Sequence, residues 1–454
     1  MKLKITTGSI VSAAVLANAL VSTQVHASGF ALIEFSGSGM GNAFAGASAS
    51  AEDASTVQFN PAGMTLLTGE QAVGVMHYIR PKADFSNNGS TGAVSLGSPA
   101  LSGSNDDGGR DAYVPNFYYV RDINDQMKFG FGMNTPFGLA TKYDDNWVGR
   151  YHAVESDVMT VNFNPSLSYK MDDKLSLGFG ASIQYVDVIL SSAIDFGAIC
   201  YAALGPVACG ALGATPQNAD GFATLTGDNW GYGWNIGALY QFSKDTRVGL
   251  AYRSEVEHDV TGEADFTVPG AASFATASGA FVDTGLKASI TLPDSLSASF
   301  YHSYDSKLAL LADITWTGWS DFKELRIVYD NVNQPDSVTT EDWNNSLRYS
   351  LGANYRMDEK LLLRVGLAYD ETPIPSAERR TPRVPGDNRT WLSFGAQYKL
   401  DKEFTIDVGY SHLFVSKTQI NNTYESSVPT LEATITGDYD AAVDILSAQV
   451  TWNF

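Results

Sequence analysis

The sequence predicts an all-β fold: a transmembrane antiparallel β-barrel of about fourteen strands, with an N-terminal hatch folded inside the lumen. Three observations carry this. An export leader is followed by no second long apolar run. Segments of about ten residues alternate apolar and polar with period two. The connections between those segments alternate short and long.

The leader comes first. Lys2 and Lys4 form a positive n-region, Ile10 to Val21 supplies a short apolar core, and Val25-His26-Ala27 fits a small-x-small cleavage site before Ser28. Residues 1–27 are therefore read as a signal peptide. The apolar run is too short, and too broken by Ser and Asn, for an anchor helix. No Cys lies near the cleavage site, which argues against a lipid anchor. After Ala27 no stretch of about 18 apolar residues remains, which excludes an α-helical membrane protein. A mean hydropathy of -0.10 fits a barrel, whose interior residues are polar. A net charge of -21 argues against nucleic acid as a partner, since phosphate binding needs an excess of Lys and Arg.

Residues 28–67 are read as the hatch. They are rich in Gly, Ala and Ser, contain no Lys or Arg, and end in the rigid turn Asn60-Pro61-Ala62. Small residues suit a segment whose backbone must approach another backbone closely. The run Gly37-Ser38-Gly39-Met40-Gly41 sits in no βαβ context, so it is not a dinucleotide loop.

Residues 68–454 are read as the wall. Leu392, Phe394, Ala396 and Tyr398 share one face while Ser393, Gly395, Gln397 and Lys399 take the other. Leu361, Leu363, Val365 and Leu367 likewise oppose Arg364, Gly366 and Asp370. A helix would need period 3.6. The short connections are polar turns such as Met171-Asp172-Asp173 and Ser243-Lys244-Asp245. The long ones are expected near 81–109, 135–156, 191–229, 262–286, 319–342, 371–389 and 417–440. Short turns at one rim and long loops at the other describe a bacterial outer-membrane barrel, and a closed barrel leaves no unpaired backbone in lipid. Trp234 and Tyr240/Phe242 mark the two ends of one outward face. The chain closes on Val450-Thr451-Trp452-Asn453-Phe454, which resembles the signal read by the barrel-assembly machinery.

Cys200 and Cys209 share the longest loop, and in an exported protein they are expected to pair as a disulfide staple. An enzyme is not expected. The His residues are scattered, and the adjacent Ser411 and His412 of a strand point to opposite faces. No cofactor is expected.

The chain resembles the long-chain fatty-acid outer-membrane transporters (FadL), a family that also includes aromatic-hydrocarbon uptake channels. The resemblance rests on the order and spacing of GFALIEFSGSGMGNAFAG with Asn60-Pro61-Ala62, of Phe137-Gly138-Leu139-Ala140-Thr141, of Asn229-Trp230-Gly231-Tyr232-Gly233-Trp234-Asn235, of Tyr252-Arg253-Ser254-Glu255-Val256, and of Asp370-Glu371-Thr372-Pro373-Ile374-Pro375. It implies a monomeric channel that passes long-chain fatty acid or another hydrophobic small molecule into outer-membrane lipid without ATP. It also implies that Asn60, Pro61 and Ala62 belong to the gate end of the hatch. Pro136, Phe137 and Gly138 fall at the family's lateral opening. This fits the residues, since Pro removes a ladder donor and Gly permits a bulge.

The chain departs from the family at its bases. No Lys or Arg occurs from Leu175 to Ser243, and none in Ser337-Val338-Thr339-Thr340-Glu341-Asp342. Alternation puts Arg253, Arg348 and Arg364 inward instead. They are the candidates for a ligand carboxylate, with salt bridges to hatch acids such as Glu34, Glu52 and Asp53, or to wall acids, as the competing use. Phe196, Ile199, Tyr201 and Leu204 are expected either to supply apolar lining near the loops or to pack within the loop itself. Fatty-acid uptake is the leading expectation. Uptake of a neutral aromatic or alkane hydrocarbon is the alternative, and a general diffusion porin is the rival class.

Overall fold

A computed structural model describes residues 29–98 and 100–454; the leader 1–27 lies outside them. Twenty strand segments form one closed antiparallel wall of fourteen strands, because six wall strands are interrupted. They are β1 (Gln71–Asn87), β2 (Ala112–Asp122), β3 (Met127–Asn134 and Gly138–Lys142), β4 (Glu155–Lys170), β5 (Leu175–Asp195), β6 (Asp220–Gln241) and β7 (Thr246–Arg253 and Val256–Thr267). The wall continues with β8 (Thr284–Leu292 and Ser295–Ser303), β9 (Leu308–Thr317 and Glu324–Tyr329), β10 (Ser337–Thr340 and Ser346–Arg356), β11 (Leu361–Asp370), β12 (Arg389–Lys399), β13 (Phe404–Val415 and Thr418–Thr423) and β14 (Thr434–Asn453). Closure comes from β1 against β14, in register from Gln71↔Asn453 to Asn87↔Gly437.

The period-two pattern is obeyed physically. On β11 Leu367 is 54% exposed to the lipid side, whereas Arg364 is 3% exposed and points into the lumen. Val450, Trp452 and Phe454 all face outward. Trp452 stacks on Phe404 at 6.0 Å, and Phe454 lies 4.4 Å from Trp452, an aromatic girdle at the short-turn rim.

Several segments expected as loop are strand. β5 and β6 pair over their whole length, from Leu175↔Tyr240 to Asp195↔Asp220. At about 3.3 Å per residue they reach well past the apolar band. Helices α1 (Phe196–Leu204) and α2 (Pro206–Leu212) cap that hairpin, and Cys200 is bonded to Cys209 between them. Phe196 is buried within this cap. Leu204 is exposed, and Ile199 reaches the mouth of the barrel.

Inside, the described part of the hatch folds as three single-turn helices, at Gly37–Met40, Ala47–Ser50 and Thr56–Phe59, then the 3-10 turn Pro61–Leu66. It fills the half of the lumen nearest the short turns. The Asn60–Ala62 turn seats on two wall glycines. A Cβ at Gly178 would overlap Ala62 N, and one at Gly237 would overlap Asn60 Oδ1. Asn60 is fully buried. Its Nδ2 donates to Ser48 O at 2.7 Å and to Ala238 O of β6 at 3.0 Å, and its Oδ1 accepts from Ala62 N at 3.0 Å.

Candidate functional site: a break in the wall beside a divided lumen

The break lies where Pro136 interrupts β3. Asn134 pairs with Asn162 and Gly138 with Met159, so four steps along β3 face three along β4, a one-residue bulge. On the other side the ladder to β2 ends at Phe117↔Met133 and, among the described residues, is resumed only by the single bridge Gly109↔Thr141. The backbone groups between those points are not left bare. The start of the hatch enters the gap: Leu32 N donates to Pro136 O at 2.9 Å and Gly138 N donates to Phe30 O at 3.0 Å. Asn116 Nδ2 of β2 donates to Glu34 O at 2.9 Å. Phe137 is held by Thr160, whose Oγ1 accepts from Phe137 N at 3.0 Å and donates to Phe137 O at 2.8 Å. Buried backbone without water needs such partners.

Phe30 also divides the lumen. It packs against Trp319 at 4.9 Å and Trp343 at 5.9 Å, with Phe137 and Phe322 completing the cluster. On the hatch side of this partition lies an inner cavity of about 150 Å3, walled by Leu32, Phe35, Phe44, Phe59 and Phe137. On the loop side lies an apolar cavity of about 90 Å3, walled by Val186, Val188, Leu225, Leu286 and Ile290. It shares Leu190, Leu225, Leu325, Ile327 and Arg383 with a wider mouth of about 360 Å3 between the long loops. Between hatch and short turns a fourth space of about 440 Å3 is polar, with Arg247, Asp305 and Lys307 among its lining.

The three inward arginines have separate fates. Arg364 is committed: Nη1 lies 2.5 Å from Asp407 Oδ1 and Nη2 lies 2.7 Å from Glu52 Oε2. Arg253 lines the inner cavity and donates to Gln58 Oε1 at 2.8 Å and Ser182 Oγ at 2.9 Å. Arg348 also lines it; Nη2 donates to Ala43 O at 2.7 Å, and the guanidinium sits 5.1 Å from the Trp391 ring. Its Nε and Nη1 are buried without a hydrogen-bond partner among the described residues. Sequence reasoning did not single out Arg383, which stands on the connection between β11 and β12 and lines both outer cavities.

Such a structure defines a class: an outer-membrane-type barrel, plugged axially, with an apolar cavity above the plug and a break in its side. The chain belongs to the outer membrane protein transport family (OMPP1/FadL/TodX), whose profile matches residues 18–454. The chain is 32% identical over 428 residues to the long-chain fatty acid transport protein of Escherichia coli strain K12, covering 90% of this chain and 93% of that one. It is 33% identical over 405 residues to outer membrane protein P1 of Haemophilus influenzae, covering 86% of each. The crystal structure of a Pseudomonas aeruginosa FadL homologue shares the fold, with a TM-score of 0.85 at 24% identity over 94% of this chain and all of that one. The protein is thus an outer-membrane β-barrel of a transport family.

Proposed function

We propose that the protein takes up hydrophobic compounds, foremost long-chain fatty acids, and releases them sideways through the wall. Ligand enters the mouth, passes the apolar cavity and the Phe30 partition, and reaches the inner cavity. It leaves between β2 and β3 into outer-membrane lipid. Apolar burial of about 25 cal/mol per Å2 favours each transfer over exit into the polar space near the short turns, so no energy source and no chemical step is required. The protein acts as a single chain, and the barrel-assembly machinery inserts it by its terminal aromatic strand. The movable element in this reading is the hatch segment around Ala31; Asn60-Pro61-Ala62, which the resemblance assigns to the gate end, is instead taken as the anchored end, because Asn60 is held by Ser48 O and by Ala238 O of the wall.

The unpaired stretch between β2 and β3, beside an apolar cavity, carries this reading. Ala31 and Phe137 form a backbone bridge across it. Ala31→Cys with Phe137→Cys therefore places a lock on the segment. Oxidised double variant is expected to lose oleate uptake by more than about tenfold, with reduction restoring it and each single variant remaining active. Undiminished uptake by the oxidised form would place the exit elsewhere.

A further inference from the structure

We propose that Arg383 is the carboxylate anchor of this channel. The β11–β12 connection delivers its guanidinium to the seam between mouth and apolar cavity, where it holds the headgroup of a long-chain carboxylate whose tail lies among Val186, Val188, Leu225 and Leu286. The inference rests on the uptake reading above and deepens it, since it decides between a fatty acid and a neutral hydrocarbon.

The placement is built, not incidental. The connection folds inward over the lumen: Tyr143 Oη donates to Pro382 O at 2.9 Å, and Asn421 N donates to Ala377 O at 2.8 Å. Arg383 Nη1 donates to Glu155 O at 3.0 Å and Ser156 Oγ at 2.8 Å; Nη2 donates to Ser191 O at 3.4 Å. All three acceptors are neutral. Among the described residues no carboxylate lies within ion-pair distance of Arg383. Among the described residues Nε and the second Nη2 hydrogen have no protein acceptor, and this is the edge that grips a carboxylate side-on. A cation in apolar surroundings without a counter-charge is costly, and a ligand carboxylate supplies one. A hydrocarbon of the same length does not. The other inward bases do not compete at this place. Arg364 is paired twice, and Arg253 and Arg348 lie beyond the Phe30 partition.

Glu341 makes the site respond to pH. It lines the same apolar cavity, buried, and accepts from Trp343 Nε1 at 2.8 Å. Burial pushes its carboxyl up to about 7, against the pull of the Trp343 hydrogen bond and of Arg383. The other charged or titratable groups around the pair are Arg379 on the same connection as Arg383, and Tyr424 and Glu425 on the connection between β13 and β14. His152 between β3 and β4 is held at about 4 by burial and stays neutral. Arg383, lowered by burial to about 10, stays cationic. Below about pH 7 Glu341 is neutral and Arg383 is free for a ligand anion. Above it Glu341 is an anion that offsets the charge of Arg383 through space and repels the headgroup. Carboxylate affinity therefore falls as pH rises from 6 to 8.5.

The test titrates the purified, full mature protein in detergent with oleate and with oleyl alcohol, its uncharged analogue. Arg383→Gln is expected to weaken oleate by about tenfold or more, the loss of a charge-assisted contact, while oleyl alcohol changes by less than about twofold. Wild-type oleate affinity falls several-fold between pH 6 and pH 8.5, and that of oleyl alcohol does not. Equal weakening of both ligands by Arg383→Gln, or none, overturns the anchor and leaves the uptake reading standing. Wild-type protein that binds neither ligand overturns the uptake reading itself. Should Arg383→Gln not fold, Glu341→Gln decides: a flat oleate profile upholds the proposal, and an unchanged slope removes it.

Discussion

Arg364 shows how an inward arginine on a barrel wall can serve structure and not cargo. It ties β11 to Asp407 on β13 and to Glu52 on the hatch, and its side chain is wholly buried. Removing one member of such a network strands the others, at a cost of about 3–5 kcal/mol. Arg364→Met is therefore expected to lower the temperature at which the folded band is lost in a heat-modifiability gel, while oleate affinity of the folded fraction stays within about twofold. A variant of unchanged heat stability with selectively weakened oleate would move Arg364 into the ligand site. Strand alternation made the inward placement of Arg253, Arg348 and Arg364 legible, because period two fixes the face. Salt bridging to hatch or wall acids, Glu52 among them, was legible as the competing use; that Arg364 is the arginine that takes Glu52 together with Asp407 was not, since those two are brought together only by closure of the barrel around the hatch. Arg383 escaped for a related reason: it lies on a connection, where alternation says nothing. Its hydrogen-bond acceptors are on Glu155, Ser156 and Ser191, which are far away in sequence. The one available signal was the basic run Arg379-Arg380-Thr381-Pro382-Arg383, unusual in a chain of net charge -21.

The element that sets this barrel apart from a plain porin wall is the interrupted β3. Pro136 has no N–H to give, and the extra residue breaks the register with β4 while β2 loses its partner beyond Phe117. The break is thus a property of the strand and not of any one side chain. Deleting Pro136 turns four steps against three into three against three. The expected result is a continuous ladder, a barrel as heat-stable as the parent or more so, and oleate uptake near background. Retained uptake with a repaired ladder would mean that ligand does not pass between β2 and β3. Pro136-Phe137-Gly138 could be read from sequence because Pro and Gly punctuate a strand wherever they occur. The extension of β5 and β6 could not. The stretches Ser191 to Asp195 and Asp220 to Thr226 are mostly small or polar, and they look like loop until each is seen hydrogen-bonded to the other.

At the scale of the molecule, the wall and the hatch divide the work of selection. Fourteen strands enclose a lumen wider than wall side chains alone can fill. The interior surface is polar, with Asn116, Asn162, Asn164, Ser393 and Gln449 all turned inward and buried beneath the hatch. The wall without its hatch is therefore expected to be a water-filled pore in the manner of a porin, whereas the wall with its hatch offers apolar cavities beside a break in the ladder. Deleting residues 29–66 behind an intact leader is expected to give a barrel that still assembles, because every wall pairing from β1 to β14 remains. In reconstituted vesicles the parent should swell in small sugars no faster than protein-free controls, and the deletion variant should swell rapidly. The same deletion should abolish saturable oleate uptake, because Phe30 and the hatch side of the inner cavity are gone. Fast sugar permeation by the parent would instead make the hatch a loose ornament in an open pore, and the cavities on its two faces would lose their meaning as a route.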